Sequence, residues 1–251
     1  MSTDFAHKNI LVLGAGVTGT SVARFLQSRG AQVTLTDDNS EGAVKPSEVN
    51  LKDFDAVVIS PGWRQDHPLV VQILNSSIEM LNEIDIAWSL RAERAPSQKW
   101  IALTGTNGKT TTVEMTAAIL QAAGINAVAC GNVGDTVIDA VDRNDAYEVL
   151  VLELSSFQLH WARQAHFEAA AILNIADDHL DWHGSFDAYA DAKFSILDRA
   201  EIAILNADDA PIVTHANRFK GRKVFFSLDT DRKSTRLNSS HPSRSRMPSS
   251  A

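Results

Sequence analysis

Two junctions of one kind dictate most of what this chain can fold into. In "NILVLGAGVTG" (9–19) and again in "WIALTGTNGKTT" (100–111), a short apolar run breaks on a glycine turn and resumes as a helical pattern. A strand that passes through a tight turn into a helix is half of a βαβ unit, and its partner strand must lie parallel to it. Further apolar runs repeat the alternation: "QVTLT" (32–36), "DAVVIS" (55–60), "IEML" (78–81), "INAVA" (125–129), "EVLVLEL" (148–154), "AAAILNI" (169–175), "IAILN" (202–206) and "KVFFS" (223–227). Between the first two strands, Val22, Phe25 and Leu26 share a helix face that Gly30 terminates. Val113, Ala117 and Leu120 do the same ahead of Gly124. The expected fold class is α/β, a Rossmann-like N-terminal domain followed by an incomplete P-loop-type central domain with a mostly parallel sheet.

The charged stretch "LRAERAPSQK" (90–99) contains Pro96 and precedes a new strand, which places the domain boundary near residue 94. The expected division is 1–93, 94–231 and a tail at 232–251. That tail, "RKSTRLNSSHPSRSRMPSSA", holds seven serines, five Lys/Arg and no Asp/Glu. Its composition is expected to be disordered and foreign to what precedes it, with a basic, phosphorylatable arm as the alternative. Without it, residues 1–231 carry a net charge of −13, from 18 basic and 31 acidic residues. So acidic a body argues against a general grip on nucleic acid, and an anionic ligand would need local positive features such as helix N-termini, lysines or metal ions. No apolar run approaches membrane-spanning length, and the single cysteine, Cys130, fits a reducing compartment; a cytoplasmic location is expected.

The first turn, Gly14-x-Gly16-x-x-Gly19, follows a strand and opens a helix, which is the setting of a diphosphate-binding turn. Asp37 ends the next strand, where a ribose or base contact belongs, and "SPG" (60–62) ends the one after. A dinucleotide such as NAD fits this pattern as well as another diphosphate does. The second turn is two residues shorter than the usual phosphate loop, since five places before Gly108 stands Leu103. Its amides still sit at a helix start, Lys109 can reach terminal phosphates, and the Thr110 hydroxyl is placed for magnesium. Gly105, Thr106, Asn107, Gly108, Lys109, Thr110 and Thr111 are therefore the candidate nucleotide contacts.

This shortened loop resembles that of the Mur ligase family. "CGNVG" (130–134), "LELSSFQL" (152–159), "NIADDHLDWHGSFDAYADAK" (174–193) and "LNADDA" (205–210) follow in the family's order, so the resemblance covers residues 9 to about 230. It implies an ATP-dependent carboxylate–amine ligase working through an acyl phosphate. Within the family the segments fit the member that joins D-glutamate to UDP-N-acetylmuramoyl-L-alanine, with a sibling ligase as the alternative. It also implies residue roles: Glu153 and Thr110 on one magnesium ion, His179 and Lys193 at a second, with Lys193 carbamylated, and Lys109, Asn132, His179 and Lys193 in the catalytic set. Val17, Thr18, Asp37, Gly62, Asn132 and Ser155 would line the UDP-substrate site, so the first domain is expected to hold UDP rather than NAD. After Asp37 the chain departs from the pattern of some relatives, reading Asp38-Asn39. His183 has no implied role and is read as structural. The family's third domain is not found after "KVFFSLDTD", so this polypeptide is expected not to turn over. A monomer is expected, with no nucleic-acid or membrane partner. A Rossmann oxidoreductase or a non-catalytic nucleotide-binding protein are the competing readings from other classes.

Overall fold

A computed structural model describes residues 4–228, and the tail expected at 232–251 lies outside them. The chain forms two parallel sheets. In the first, β1 (Asn9–Leu13), β2 (Gln32–Thr36), β3 (Ala56–Ile59) and β4 (Glu79–Asn82) lie in the order 2-1-3-4. In the second, β5 (Lys99–Thr104), β6 (Ala127–Gly131), β7 (Val149–Glu153), β8 (Phe167–Ile172), β9 (Ala200–Asn206) and β10 (Arg222–Phe226) lie in the order 10-9-8-5-7-6. Every strand pair is parallel. Both glycine turns leave the central strand of a trio, β1 between β2 and β3 and β5 between β8 and β7. Strand order reverses there, and the crevice at the carboxyl ends receives ligands in sheets of this kind.

The helices follow from capping and apolar spacing. α1 (Val17–Ser28) buries Val22, Phe25 and Leu26 and ends before Gly30, whose φ of +83° suits a glycine stop. α2 (Pro68–Leu74) starts on proline behind a His67 cap. α3 (Glu83–Arg94) was hidden by its charge: the expected boundary stretch from Leu90 forms its last turn and the loop beyond. Its signals are the Asn82 cap, acidic Glu83 and Asp85 in the first turn, and Arg91 and Arg94 in the last. Of the remaining helices, α4 (Lys109–Ala122), α6 (Ser156–Trp161), α7 (Leu180–His183) and α8 (Phe186–Phe194) build the site, while α5 (Val137–Val141) packs on α1 and α3 and α9 (Ala210–His215) on β9. Two strands are displaced from their expected spans. β6 starts at Ala127, because Ile125 closes the turn after Gly124, and β8 stops at Ile172, because Leu173–Ile175 turn aside to meet the second glycine loop.

A continuous apolar core joins the two sheets. It runs from Ile10, Val12 and Phe25 through Ile84, Ile86 and Leu90 of α3 and Val137 and Ile138 of α5 to Trp100, Leu150 and Phe167. Polar anchors frame it. Ser21 and Arg24 of α1 donate to Asp139 at 2.6 and 2.8 Å, Arg29 and Arg94 pair with Asp142, and buried Asp85 accepts the amides of Arg163, Gln164 and Ala165. Glu83 is fully buried and accepts the Ile138 amide at 2.8 Å; loss of hydration pushes its carboxyl up to about 7. A second apolar cluster packs Trp161 and Trp182, from the six-stranded half, beneath Leu11, Leu13, Val57 and Ile59 of the first sheet. Among the described residues no helix is long and apolar enough to cross a membrane.

Candidate functional site

The first glycine turn is built by close approach. A β-carbon on Gly19 would stand 1.8 Å from the Gly14 carbonyl oxygen, and one on Gly14 would meet the Ser60 hydroxyl at 2.9 Å. Only glycine lets α1 begin this near the strand end. The turn floors a cleft of about 550 Å³ lined by Gly14, Gly16, Val17, Thr18, Asp37, Asp38, Ser60, Gly62, Trp63 and His67, and on the opposite wall by Asn132, Ser155, Phe157 and Gln158. All six residues expected at the UDP-substrate site therefore share one cavity. Val17, an apolar side chain 77% exposed at the first turn of α1, lies on the rim of this cleft. Asp37 has another duty: its carboxylate accepts the amides of Ala15, Asn39 and Ser40 at 2.9, 2.8 and 3.1 Å, which holds it below the usual carboxylate range. It thus shapes the loop as well as lining the cleft. Ser155 caps α6 in a reciprocal capping box with Gln158.

The second turn is tied down from three sides. Asn174, two residues past the end of β8, accepts the amides of Thr106 and Asn107 at 3.0 and 2.8 Å and donates back to the Asn107 carbonyl. The Thr106 hydroxyl meets Tyr189 at 2.9 Å. Gly108 is left-handed at φ +79°, and α4 starts behind it with Thr110 and Thr111 exposed. Lys109 folds back, its ammonium donating to the Thr106 carbonyl at 2.9 Å inside the loop. The Thr110 hydroxyl donates to Glu153 Oε2 at 2.8 Å, and the Asn132 amide donates to Glu153 Oε1 at 3.0 Å. Glu153 is buried at the end of β7 and binds the two loops together, one oxygen to each.

Lys193, which a helix in isolation would expose, is buried on α8. It donates to the Gly105 carbonyl at 2.8 Å and lies 4.7 Å from the Tyr189 ring centre. Burial first, then repulsion from Lys109, pushes its ammonium down to about 7. His179 stands apart. It is a left-handed residue (φ +50°), half exposed, 3.4 Å from Asp178 and packed on the Phe157 ring, and it makes no hydrogen bond to Thr110, Glu153 or Lys193. His183 is buried, bonded to the Ser156 hydroxyl at 3.0 Å, and pushed down to about 4 chiefly by burial, which accords with the structural reading. Sequence reasoning passed over Asn174, Tyr189, Phe157 and Trp63. The first three lay inside quoted segments without a role; Trp63 had no signal beyond its place after "SPG".

As a test of the magnesium expectation, the described residues contain no group of three or more His, Cys, Asp or Glu arranged around a point. A nucleotide-bound magnesium does not need one, since it takes one or two protein oxygens and completes its shell with phosphate and water. Thr110 and buried Glu153 are such a pair, both hard oxygen donors at a phosphate loop, and the residues fit the ion.

Two family models match, that of the Mur ligase middle domain over residues 103–249 and that of the Mur ligase MurD-like N-terminal domain over residues 8–82. Among curated relatives, the UDP-N-acetylmuramoylalanine–D-glutamate ligases of Nocardia farcinica and Mycolicibacterium vanbaalenii are 42% and 44% identical over 86% and 80% of this chain. The chain spans about half the length of these relatives, 48% and 44%. Among solved structures, the UDP-N-acetylmuramate:L-alanyl-gamma-D-glutamyl-meso-diaminopimelate ligase of Neisseria meningitides superposes with a TM-score of 0.57 at 17% identity, covering 88% of this chain and 78% of that one. The MurF ligase of Thermotoga maritima, solved with ADP, gives 0.50 at 18% identity, over 90% of this chain and 49% of that one. These likenesses share the fold.

Proposed function

The chain belongs to the Mur ligase family, and from that premise we propose that it is the substrate- and ATP-binding part of a ligase that joins D-glutamate to UDP-N-acetylmuramoyl-L-alanine. The observation that carries the reading is Glu153, whose two oxygens tie Thr110 of the phosphate loop to Asn132 on the wall of the glycine-turn cleft. A carboxylate-bearing substrate in that cleft would end where the terminal phosphate of ATP begins. Residues 1–93 would hold the UDP end and residues 94–231 the ATP, with no nucleic acid or membrane involved. The chain would act as a monomer in the cytoplasm.

The reaction is a phosphoryl transfer followed by acyl transfer. A substrate carboxylate oxygen forms a bond to the γ-phosphorus as the bond to ADP breaks. The glutamate amine then attacks the acyl carbon, and phosphate leaves. The loop amides from Asn107 to Thr111 bind the phosphates at the start of α4. Lys109, released from the Thr106 carbonyl, takes the terminal phosphate, and Asn132 orients the acceptor carboxylate. Thr110 and Glu153 would hold magnesium, which when bound neutralises charge between the two anionic reactants. Val17, Thr18, Asp37, Gly62 and Ser155 would orient the UDP-sugar.

Lys193 fits the proposed carbamate. A neutral amine adds to CO2 and releases one proton, and burial lowers this ammonium to about 7, so that roughly half of it is neutral at pH 7. The resulting anion would offer oxygen donors to a second cation, a site that His179 would have to leave Asp178 and the Phe157 ring to join. In bicarbonate buffer, intact mass spectrometry under non-acidic conditions is expected to show a gain of about 44 Da, the mass of the added CO2, which disappears in Lys193→Met; an unmodified wild-type chain removes the carbamate from the reading.

Quenching of tryptophan fluorescence separates this function from a dinucleotide-binding one. UDP-N-acetylmuramoyl-L-alanine is expected to quench at micromolar to millimolar concentration while NADH does not, and the reverse order would return the cleft to the oxidoreductases.

A further inference from the structure

α7 is short, and a left-handed residue stands at each of its ends, His179 at φ +50° and Gly184 at φ +83°. Glycine takes that conformation freely. For histidine it is uncommon and costs energy, so it persists where surrounding contacts enforce it. Those contacts come from the other half of the molecule. The Trp182 indole N–H donates to the Gly62 carbonyl at 3.2 Å, and Arg64 Nη1 donates to the Asp181 carbonyl at 2.7 Å. Arg64 is itself aimed by Asp66, which accepts from its Nε and Nη2 at 2.9 Å each. The Trp182 ring is buried in the cluster of Leu11, Leu13, Val57 and Ile59, so its one polar atom is committed to Gly62.

The receiving turn, Gly62 to Arg64, is a wall of the first cleft. Between the two bonds Trp63 leans onto the glycine turn, its indole nitrogen 3.1 Å from the point where a β-carbon on Gly14 would stand. A ligand in the cleft therefore meets the same turn that holds α7. Phe157 offers a second route, since it also lines the cleft and its ring lies 4.7 Å from that of His179 and 4.9 Å from that of Trp182. The two routes differ in kind. Phe157 touches the imidazole by ring packing alone, whereas the two hydrogen bonds fix the backbone that carries it.

We propose that Trp182 is a positioning residue, which with Arg64 clamps α7 to the cleft wall so that the placement of the His179 imidazole follows what occupies the cleft. The inference deepens the reading of the cleft as a UDP-substrate site and rests on it. The left-handed residues at the ends of α7 are where a change of φ and ψ is absorbed. Filling the first cleft then alters the second site, and the coupling between them is reciprocal.

The test is imidazole ¹H–¹⁵N spectroscopy of the whole chain, titrated with UDP-N-acetylmuramoyl-L-alanine. The His179 signals are those missing from His179→Gln, and in the wild type they are expected to move as the cleft fills. Trp182→Phe keeps a ring in the apolar cluster and removes the donor. Arg64→Met keeps the stem and removes the other bond at an exposed position, so it decides the matter should Trp182→Phe not fold. In each variant the His179 signals are expected to shift already in the free chain and to respond less to the ligand; in the double variant the response is expected to be lost. A packing role for Trp182 would lower the melting temperature and leave that response intact. His179 signals unmoved in both free variants overturn the proposal. So does a response undiminished in the double variant, which the Phe157 route alone would give. Calorimetry keeps the two readings apart. Substrate binding with stationary wild-type His179 signals strikes the coupling and upholds the cleft. If the wild-type chain binds no substrate, the reading of the cleft falls and the coupling with it, while the free-chain spectra still decide whether Trp182 and Arg64 place His179.

Discussion

Lys109→Met is expected to lower the affinity of this chain for magnesium–ATP about a hundredfold, or about 2.8 kcal/mol. The ammonium is held inside the loop by the Thr106 carbonyl at 2.9 Å, at the start of α4, where a terminal phosphate would lie. Exchanging one neutral acceptor for a phosphate oxygen strengthens its hydrogen bond, and in a half-buried loop the charge is screened less than at an open surface. Methionine keeps the aliphatic stem, so the loop's packing against Leu173 and its bonds from Asn174 persist. Equilibrium titration with ATP in magnesium buffer measures the loss, and thermal melting checks the fold. Wild-type affinity in a folded Lys109→Met chain would remove this loop from the nucleotide site.

The second large effect is on stability and follows from Glu83. In the unfolded chain its carboxyl titrates near 4.5, and in the folded protein burial moves it to about 7. Below pH 4.5 both states hold the proton and the buried carboxyl adds its full share of stability. Between 4.5 and 7 the unfolded chain releases its proton first, so stability falls as pH rises, and above 7 the loss is complete. A shift of this size corresponds to about 3 kcal/mol. Glu83→Gln still offers an oxygen to the Ile138 amide but cannot ionise. The variant is expected to lack this slope and to exceed the wild type by about 2 kcal/mol at pH 8, less than the full shift because the new amide N–H groups need acceptors. Urea unfolding of both chains at pH 5 and pH 8 gives the comparison. A constant difference between them at the two pH values would refute the account.

Much of the fold was legible because parallel strands buried on both faces are written as unbroken apolar runs, and each glycine turn marks a strand end and a helix start at once. What escaped had a common cause. α3 carries its apolar stripe, Ile84, Ile86, Ala87 and Leu90, among six charged or polar neighbours from Glu83 to Arg94. Its burial between two sheets is a tertiary fact that a local pattern does not contain. The strand limits at β6 and β8 shifted because loop hydrogen bonds, not apolar content, decide where pairing stops. In the site, spacing pointed to Thr110 and the family resemblance to Glu153 and Asn132, and the fold brings the three together. The burial of Lys193 could not be read from one helical turn, nor could the contact between Trp63 and Gly14, which depends on how the ends of β1 and β3 lie side by side.

The apolar core shared through α3 and α5 has a mechanical consequence. Prising the four-stranded layer from the six-stranded one would wet Leu90, Trp100 and Ile138 and strip Asp85 and Glu83 of their amide donors, so the halves cannot swing freely about residue 94 as beads on a string. The two ligand-facing rims are held at a fixed separation by the body beneath them. Any ligand long enough to reach from one glycine turn to the other would be measured against that separation.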